Sequence, residues 1–242
     1  MIEIGVTITG ASDGVDPSIL DMIARDYPFV EWAILFSQSR EGQPRYPTAA
    51  WREKFYWATY NRGDAYTIAA HLCGKSVDAF LASYEYFKNE VTMGFDAIQF
   101  NKLTAENKSE IFTFAKSVET EQDILLQYND NTNVLLNGLF EEDVPENIRL
   151  LLDASGGKGK SYKDTGGWPD VPEPFSSNLA YGYAGGINED NVEEVLEEIH
   201  KKHEGVEGWT WIDLESGART DDMFDIGKVI GILEIVKQSR GD

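Results

Sequence analysis

Two residue pairs in the last third of the chain, Gly185-Gly186 and Ser216-Gly217, have the residue types that bind anions through the backbone. Each pair follows a short β-rich run. Glycine lets backbone N–H groups approach an anion closely, and the start of a following helix adds positive potential. One Gly-Gly pair alone is as typical of a tight turn as of a binding site. Two matched pairs favour a phosphate site over the alternative of two simple turns.

The segment from Ser155 to Lys163 is a second candidate for anion binding, because it concentrates glycine and lysine. Lys158 and Lys160 belong to a local basic cluster in a chain that has 42 acidic and 21 basic residues. We interpret the segment as a lid over a bound anion, with an ordinary solvated loop as the alternative. It is not a Walker A loop, since the spacing of its Gly, Lys and Ser/Thr residues is wrong and Asp153 before it would repel phosphate.

His71 and Cys73 have the residue types of a general base and a nucleophile and lie two positions apart. Alternate residues of a strand face the same side, so the two side chains are expected to be neighbours. No third residue to orient the histidine is apparent, and a hydrogen-bonded structural histidine beside a buried thiol is the favoured alternative. His200 and His203 are expected to lie in solvent at a helix end, which leaves too few ligands for zinc. We therefore expect no metal and no cofactor.

The composition is typical of a soluble globular protein and excludes several classes of partner. The chain has 242 residues, is 42% hydrophobic and 26% charged, and carries a formal net charge of −21. A surface this acidic repels nucleic acids and anionic membranes. We find no transmembrane segment and no signal peptide, and the single cysteine, Cys73, fits a reducing compartment. We expect a cytoplasmic protein whose anionic ligand binds only where local donors overcome the overall field.

Short β-rich runs alternate with helix-like segments about eight times along the chain. Several runs, such as 32–36 and 124–126, are almost continuously apolar, which is typical of parallel strands covered by helices on both faces. This repetition in one compact unit favours an α/β fold of the closed (β/α)₈ type, the TIM barrel, over an open sheet. We predict a single barrel domain over residues 1–242, with strands at Glu3–Thr9, Phe29–Phe36, Tyr66–His71, Ala97–Asn101, Asp123–Tyr128, Arg149–Asp153, Leu179–Tyr183 and Trp209–Leu214.

Helix signals accompany the strands. Asp16 precedes Pro17 at one predicted helix start, and Thr48 can cap another. The last helix is predicted near Met223–Val236, where apolar residues recur at helical spacing.

Polar side chains crowd the predicted carboxyl ends of the strands, where barrels of this kind place their binding sites. Gln99 and Asn101 end the fourth predicted strand, and Gln127 and Asn129 occur at the end of the fifth. Amide side chains both donate and accept hydrogen bonds. We therefore expect these four to recognise hydroxyl groups or a base edge of the ligand.

Six short motifs resemble those of the phosphoribosylanthranilate isomerase family, and they occur in the same order over nearly the whole chain. The motifs are Ile8-Thr9-Gly10 where the family has Ile-Cys-Gly, Arg45-Tyr46, Ala97-Ile98-Gln99-Phe100, Leu151-Leu152-Asp153 before a Gly/Lys loop, Gly185-Gly186-Ile187-Asn188, and Ile212-Asp213-Leu214-Glu215-Ser216-Gly217. The resemblance implies a (β/α)₈ barrel in which the backbone of Gly185, Gly186, Ser216 and Gly217 holds a phosphate.

The resemblance also implies catalytic roles for Asp153 and Thr9. The family opens a phosphoribosylamine ring and forms an aminoketose, with an aspartate as general acid, matched by Asp153, and a cysteine as general base. Thr9 stands at the position of that cysteine, and a hydroxyl of such high pKa cannot remove a carbon-bound proton near neutral pH. Glu215 departs from the family by placing a carboxylate beside the phosphate-binding residues. We expect a divergent relative that does not catalyse the tryptophan-pathway reaction.

The expected ligand is a phosphorylated sugar or a nucleotide-like small molecule. Arg45 is expected to bind it through a charge-assisted hydrogen bond, and Lys158 and Lys160 to close over it. One possible function is isomerase-like catalysis by Asp153 with a relocated partner, namely Cys73, His71 or Glu215. The alternatives are a non-catalytic protein that sequesters or senses a nucleotide-derived metabolite, and a scaffold whose site has decayed.

Overall fold

Eight parallel strands close into a barrel in which each strand pairs with the next and the eighth pairs with the first. The computed structural model describes residues 2–82, 94–118, 122–137, 144–155, 160–173 and 175–241. The predicted (β/α)₈ fold is confirmed, and the strand bounds agree with the predicted ones to within two residues. The barrel strands are β1 (Ile2–Thr9), β2 (Val30–Phe36), β3 (Thr67–Leu72), β4 (Ala97–Phe100), β5 (Asp123–Tyr128), β6 (Ile148–Asp153), β7 (Tyr181–Ala184) and β8 (Gly208–Leu214).

Helices follow the strands in the described part of the chain. Both predicted caps are confirmed, because Asp16 accepts a hydrogen bond from Ser18 N at 2.9 Å and Thr48 Oγ1 accepts one from Trp51 N at 3.2 Å. None of the described helices is long and apolar enough to cross a bilayer. The helices are α1 (Pro17–Asp26), α2 (Ala49–Thr59), α3 (Lys75–Ala82), α4 (Lys108–Ser117), α5 (Asn133–Asn137), α6 (Phe175–Asn178), α7 (Val192–Lys202) and α8 (Ile226–Arg240).

Two predicted element starts are corrected by the backbone. The last helix begins at Ile226 instead of near Met223, because β9 (Arg219–Thr220) and β10 (Met223–Phe224) form a small antiparallel sheet before it. Asp225 then caps α8 by accepting a hydrogen bond from Lys228 N. β7 begins after Leu179, whose φ of +52° places it in the left-handed region that interrupts a strand.

The interior of the barrel is filled unevenly. Its central layer consists of three alanines, two leucines and one tryptophan, where barrels commonly place bulky branched side chains. Trp211 occupies the space that the alanines leave, and a Cβ atom on Gly182 would overlap its ring. One cavity therefore lies at each end of the barrel axis. The central layer consists of Ala33, Ala69, Ala97, Leu125, Leu151 and Trp211.

The cavity at the amino ends of the strands, of about 240 Å³, contains the carboxyl group of Glu31. Thr7 on β1 and Thr67 on β3 are its register partners on the two neighbouring strands. Desolvation raises the pKa of Glu31 to about 7, although hydrogen bonds from Thr7 and Thr67 act in the opposite direction. Thr7 Oγ1 donates one of these bonds to Glu31 Oε1 at 2.9 Å. This end of the barrel therefore contains a carboxyl group that is ionised only at a cost in stability.

We predict that Glu31→Gln stabilises the protein at pH 8 and that the gain shrinks towards pH 5. The folded state holds the Glu31 proton more tightly than the unfolded chain does. The free energy of unfolding therefore falls as the pH rises from the ordinary carboxyl pKa of 4.5 to about 7. Glutamine removes that loss while it still accepts hydrogen bonds from the two threonines. Thermal denaturation at pH 5, 6, 7 and 8 measures the difference between variant and wild type.

Glu53→Gln, on the exposed side of α2, is the matched control and should show no such pH dependence. A Glu31→Gln difference in melting temperature that stays constant from pH 5 to 8 would contradict a raised pKa at Glu31.

Candidate functional site

The cavity at the carboxyl ends of the strands, of about 340 Å³, brings together most of the residues that the sequence analysis singled out. They come from the carboxyl ends of all eight strands or from the loops that follow them. Cys73, Asn129 and Lys160 do not line this cavity, and Lys158 lies outside the described residues. The predicted residues that line it are Thr9, Arg45, His71, Gln99, Asn101, Gln127, Asp153, Gly185, Gly186, Glu215, Ser216 and Gly217.

The two glycine turns pack against each other on this cavity. Gly185 and Gly186 have φ angles of +123° and +64°, which only glycine adopts without strain. A Cβ atom on Gly217 would overlap the carbonyl oxygen of Ile187 and would lie 2.8 Å from Asn188 Cα. The turn after β8 can therefore approach the turn after β7 only because residue 217 has no side chain.

The backbone N–H groups of these turns have no hydrogen-bond partner in the described part of the chain. Among the described residues, no hydrogen bond uses the backbone N–H of Gly185, Gly186, Ser216 or Gly217. Ser216 and Gly217 begin a short 3₁₀ helix (Ser216–Ala218), and the first N–H groups of a helix have no partner within it. All four residues line the same cavity, which makes their N–H groups candidate donors to an anion there.

Two carboxyl-bearing residues, Asp153 and Asp213, flank Ala184 on the strands either side of β7. Asp153 on β6 and Asp213 on β8 are both register partners of Ala184 on β7. Neighbouring strands are about 4.8 Å apart, so the two backbones are about 10 Å apart, and the small Ala184 leaves the space between them open. A ligand of a few carbon atoms fits between two such groups.

Asp213 is a site residue that the sequence analysis did not select. Burial raises its pKa well above the ordinary value, with further increases from the charges of Glu215, Glu31 and Asp153. Thr9 Oγ1 donates a hydrogen bond to Asp213 Oδ1 at 3.0 Å, which acts in the opposite direction. The two-residue periodicity of β8, which turns Trp211 inward, also turns Asp213 inward and was the signal that could have identified it.

Asp153 lies where the sequence analysis placed it and is held by the loop that follows β6. It is buried and accepts hydrogen bonds from Ser155 N at 2.9 Å and from Ser155 Oγ at 2.8 Å. These two donors fix the orientation of the carboxyl group at the cavity wall. Thr9, in contrast, uses its hydroxyl proton for Asp213, so its part in the site is to position that carboxyl group.

Arg45 reaches the cavity but is engaged by two carboxylates. Its Nη1 lies 2.7 Å from Glu215 Oε1, and its Nε donates a hydrogen bond to Asp222 at 2.8 Å. Its backbone adopts a φ of +77°, an unusual value for a residue with a side chain. Glu215, which follows β8 immediately, is therefore neutralised by an arginine from the loop after β2.

His71 and Cys73 do not form a base–nucleophile pair. Burial lowers the pKa of His71 to about 3, so its ring is neutral. His71 Nε2 is buried and has no hydrogen-bond partner among the described residues, so the hydrogen-bonded structural histidine stays a prediction. Cys73 lies at the mouth beside the cavity, where burial raises the pKa of its thiol to about 11.

The amide side chains occupy two different positions. Gln99 donates from Nε2 to Asn101 Oδ1 at 2.6 Å, and Asn101 donates from Nδ2 to Cys73 Sγ at 3.4 Å. Gln127 lines the cavity beside them. Asn129 instead organises the turn after β5, where its Oδ1 accepts a hydrogen bond from Asn131 N at 2.9 Å.

The lysines of the loop after β6 contribute no described contact to the cavity wall. The backbone of Lys160 packs against Gly186, whose added Cβ would lie 2.7 Å from the Lys160 carbonyl carbon. The Lys160 side chain is exposed, and Lys163 forms an ion pair with Glu194. The predicted lid role of Lys158 and Lys160 stays a prediction.

One further histidine expectation is corrected. His203 is buried instead of solvated, and its Nε2 lies 2.9 Å from the Tyr183 hydroxyl oxygen. His200 is half-buried beside Ser239 Oγ, also at 2.9 Å. Within the described residues, no group of three His, Cys, Asp or Glu side chains is arranged to hold a metal ion.

Two solved structures have an architecture similar to that of this barrel. TrpF from Jonesia denitrificans has a TM-score of 0.58 at 14% sequence identity, with 98% of each chain covered. N-(5'-phosphoribosyl)anthranilate isomerase from Pyrococcus furiosus has a TM-score of 0.56 at 16% identity, with 98% of this chain and 100% of that chain covered. The chain has the fold of these isomerases.

A third similar structure is a phosphoribosyl anthranilate isomerase in complex with reduced 1-(o-carboxyphenylamino)-1-deoxyribulose 5-phosphate. Its TM-score is 0.55 at 13% identity, with 99% of this chain and 100% of that chain covered. No protein-family model and no curated protein matches the sequence. The resemblance stated from the six motifs is thus confirmed at the level of the fold.

We predict that Gly217→Ala destabilises the protein by about 1–3 kcal/mol, the usual cost of forcing a methyl group into packed backbone. The new Cβ would overlap the Ile187 carbonyl oxygen and push the two turns apart. Gly14→Ala is the control, because its Cβ would meet only the flexible end of Met223 at 3.3 Å. Chemical denaturation measures both variants, and equal stabilities would contradict the close packing of the two turns.

We predict that the thiol of Cys73 reacts at least about tenfold more slowly with iodoacetamide at pH 8 than an unperturbed cysteine does. A thiol pKa of about 11 leaves only about one thiol in a thousand as the reactive thiolate at that pH. The rate should still be rising with pH at pH 10, because a thiol with a pKa of about 11 is mostly protonated there. The urea-unfolded protein provides the reference rate, and a folded protein that reacts equally fast would refute this environment for Cys73.

Proposed function

We propose that the protein binds a phosphorylated sugar in the cavity at the carboxyl ends of the strands, with isomerase-like acid–base chemistry on the bound ligand. The observation that carries the proposal is the contact between the turns after β7 and β8. Four residues of these turns whose backbone N–H groups have no described partner line a cavity that also contains three carboxyl groups. Loops after the seventh and eighth strands commonly hold phosphate in this fold.

The backbone N–H donors of the two turns are suited to a phosphate, although the chain as a whole is negatively charged. Backbone N–H groups bind anions without adding a charge that the surrounding carboxylates would neutralise. The ion pair between Arg45 and Glu215 removes the negative charge nearest to Ser216. The similar structures support the same ligand class, since the isomerases are named for a phosphoribosyl group and one is bound to a deoxyribulose 5-phosphate.

Asp213 and Asp153 are suited to move a proton between neighbouring carbon atoms of a sugar. Burial raises the pKa of Asp213 well above the ordinary value, which favours the protonated form that donates a proton to a carbonyl oxygen of the ligand. Asp153, which accepts hydrogen bonds from Ser155, can take the proton from the adjacent carbon, which gives an enediol, and return it to the former carbonyl carbon. Asp213 then recovers a proton from the hydroxyl group on the adjacent carbon, which becomes the new carbonyl. The result is the interconversion of an aldose and a ketose phosphate without a cofactor.

The alternative is a binding protein without turnover, and the position of Thr9 favours it. The hydroxyl of Thr9 is committed to Asp213 and cannot act as a base. His71 and Cys73 offer no replacement, because the histidine is neutral with its Nε2 buried, and the thiol lies outside the cavity. On this view the cavity sequesters or senses a nucleotide-derived phosphate.

We predict that ribose 5-phosphate at about 100 times its dissociation constant stabilises the protein by about 2.7 kcal/mol. In D₂O we expect the protein to exchange the C2 hydrogen of the sugar, which proton NMR detects as loss of the C2–H signal. Asp153→Asn and Asp213→Asn should each lower that exchange at least about 100-fold, the usual contribution of one acid–base group. Binding affinity should change much less.

Asp26→Asn, at the exposed end of α1, is the matched control and should leave both readouts unchanged. Binding without hydrogen exchange in the wild type would favour the non-catalytic alternative. No stabilisation by any sugar phosphate or nucleotide would refute the proposed phosphate site.

A further inference from the structure

The cavity at the amino ends of the strands is separate from the candidate functional site. No described residue lines both cavities, and the central layer of the barrel, which includes Trp211, lies between them. Thr67 and Trp209 line the cavity at the amino ends and are exposed, so this cavity adjoins solvent. Its volume of about 240 Å³ suits an occupant smaller than a drug-sized ligand.

Two stacked tryptophans, Trp209 and Trp211, form one wall of this cavity, which we call the tryptophan wall. Their ring centroids are 5.3 Å apart, and the ring planes meet at 20°. Two glycines make room for them. A Cβ atom on Gly5 would lie 3.0 Å from the Trp209 ring, and one on Gly182 would overlap the other ring. Indole rings attract cations more strongly than other aromatic side chains do.

The buried member of this wall has an unsatisfied polar atom. Trp211 is 3% exposed, and its Nε1 has no hydrogen-bond partner among the described residues. A buried N–H group without an acceptor costs free energy, and such groups are rare in folded proteins. The tryptophan wall therefore has a property that close packing alone does not explain.

Glu31 adds a carboxyl group to the same cavity. Thr7 Oγ1 donates a hydrogen bond to Glu31 Oε1 at 2.9 Å, and burial raises the pKa of this carboxyl group to about 7. A glutamine would accept the same hydrogen bond without any cost of ionisation. A cation bound against the ionised carboxylate would offset that cost, because an opposite charge nearby favours the charged form.

Two aspartates act on Glu31, and each forms an ion pair. Asp123 also lines the cavity, and its Oδ1 lies 3.2 Å from Arg149 Nη2. Asp96 Oδ2 lies 2.9 Å from Arg62 Nη2. Both aspartates raise the pKa of Glu31 further. A cationic occupant would be attracted to these carboxylates, whereas an anionic one would be repelled by them.

We propose that the amino end of the barrel is a second binding site, which takes a small organic ammonium ion between the Glu31 carboxylate and the tryptophan wall. The ammonium group donates hydrogen bonds to the carboxylate, and the apolar part of the ligand contacts Phe29 and Leu125, which also line the cavity. Enzymes with this fold carry out their chemistry at the opposite end, so this site binds its ligand without turnover. The inference does not depend on the proposed phosphate site.

Benzylamine and benzyl alcohol, which differ only in an ammonium or a hydroxyl group, test the proposal. Isothermal titration calorimetry at pH 8 gives both dissociation constants. We expect benzylamine to bind at least about tenfold more tightly than benzyl alcohol, because only the ammonium ion gains from the carboxylate and the indole rings. Equal affinities, or no binding of benzylamine, would overturn the proposal.

Two variants locate the ligand. Glu31→Gln should weaken benzylamine binding at least about tenfold and change benzyl alcohol binding by less than about twofold. This variant is expected to be more stable than the wild type at pH 8, so lost binding would not reflect lost folding. Trp209→Leu should weaken benzylamine binding at least about threefold. The matched controls are Glu53→Gln and Trp57→Leu, at exposed positions of α2, and both should bind as the wild type does.

The pH dependence supplies a readout specific to Glu31. With a pKa of about 7, the ionised fraction of Glu31 falls from about nine tenths at pH 8 to about one tenth at pH 6. Benzylamine should therefore bind at least about threefold more weakly at pH 6, and Glu31→Gln should abolish that difference. An affinity for benzylamine that is the same at both pH values would overturn the assignment to Glu31.

Asp213→Asn distinguishes the two ends of the barrel, since Asp213 lines only the cavity at the carboxyl ends. Its affinity for benzylamine should equal that of the wild type. If Asp213→Asn abolished benzylamine binding while Glu31→Gln retained it, the ligand would lie at the opposite end and the proposed second site would be overturned.

Discussion

The absence of a side chain at residue 217 is the constraint on which the rest of the site depends. Gly217 lies directly against the backbone of Ile187 and Asn188, and any Cβ there would separate the turns after β7 and β8. Their contact brings residues of two loops together on the wall of one cavity. Because the two strands are neighbours in the closed barrel, a local requirement for glycine becomes a requirement on the tertiary structure.

The negative charge at the site of this very acidic molecule is reduced in two ways, by ion pairing and by burial. The Arg45–Glu215 pair joins the loop after β2 to the loop after β8 across the rim of the barrel. Asp213 is buried and accepts a hydrogen bond from Thr9, and burial raises its pKa well above the ordinary value, which disfavours its charged form. Both arrangements reduce the negative charge inside the cavity. They do so with residues that are 170 and 204 positions apart in the chain.

The distribution of small and polar side chains inside the barrel explains the cavity at each of its ends. Three alanines in the central layer leave Trp211 as the main filling, and polar side chains occupy the levels above and below it. Hydrophobic burial between strands and helices provides the core instead, with residues such as Trp32, Phe55 and Phe80 fully buried. Hydrophobic contacts between the strands and the surrounding helices therefore stabilise the barrel, and the cavities inside it are available for binding.

The sequence by itself determined the barrel, its strands and most of the cavity lining, because periodicity and strand ends are local properties of the chain. Asp153, Gly186 and Gly217 could be placed from their positions after strands. Only the tertiary structure decided that Arg45 is paired with Glu215 and that Asp213 is a buried acid. It also decided that His71 and Cys73 do not form a base–nucleophile pair. Those outcomes depend on distances and desolvation between residues far apart in sequence, which no local pattern encodes.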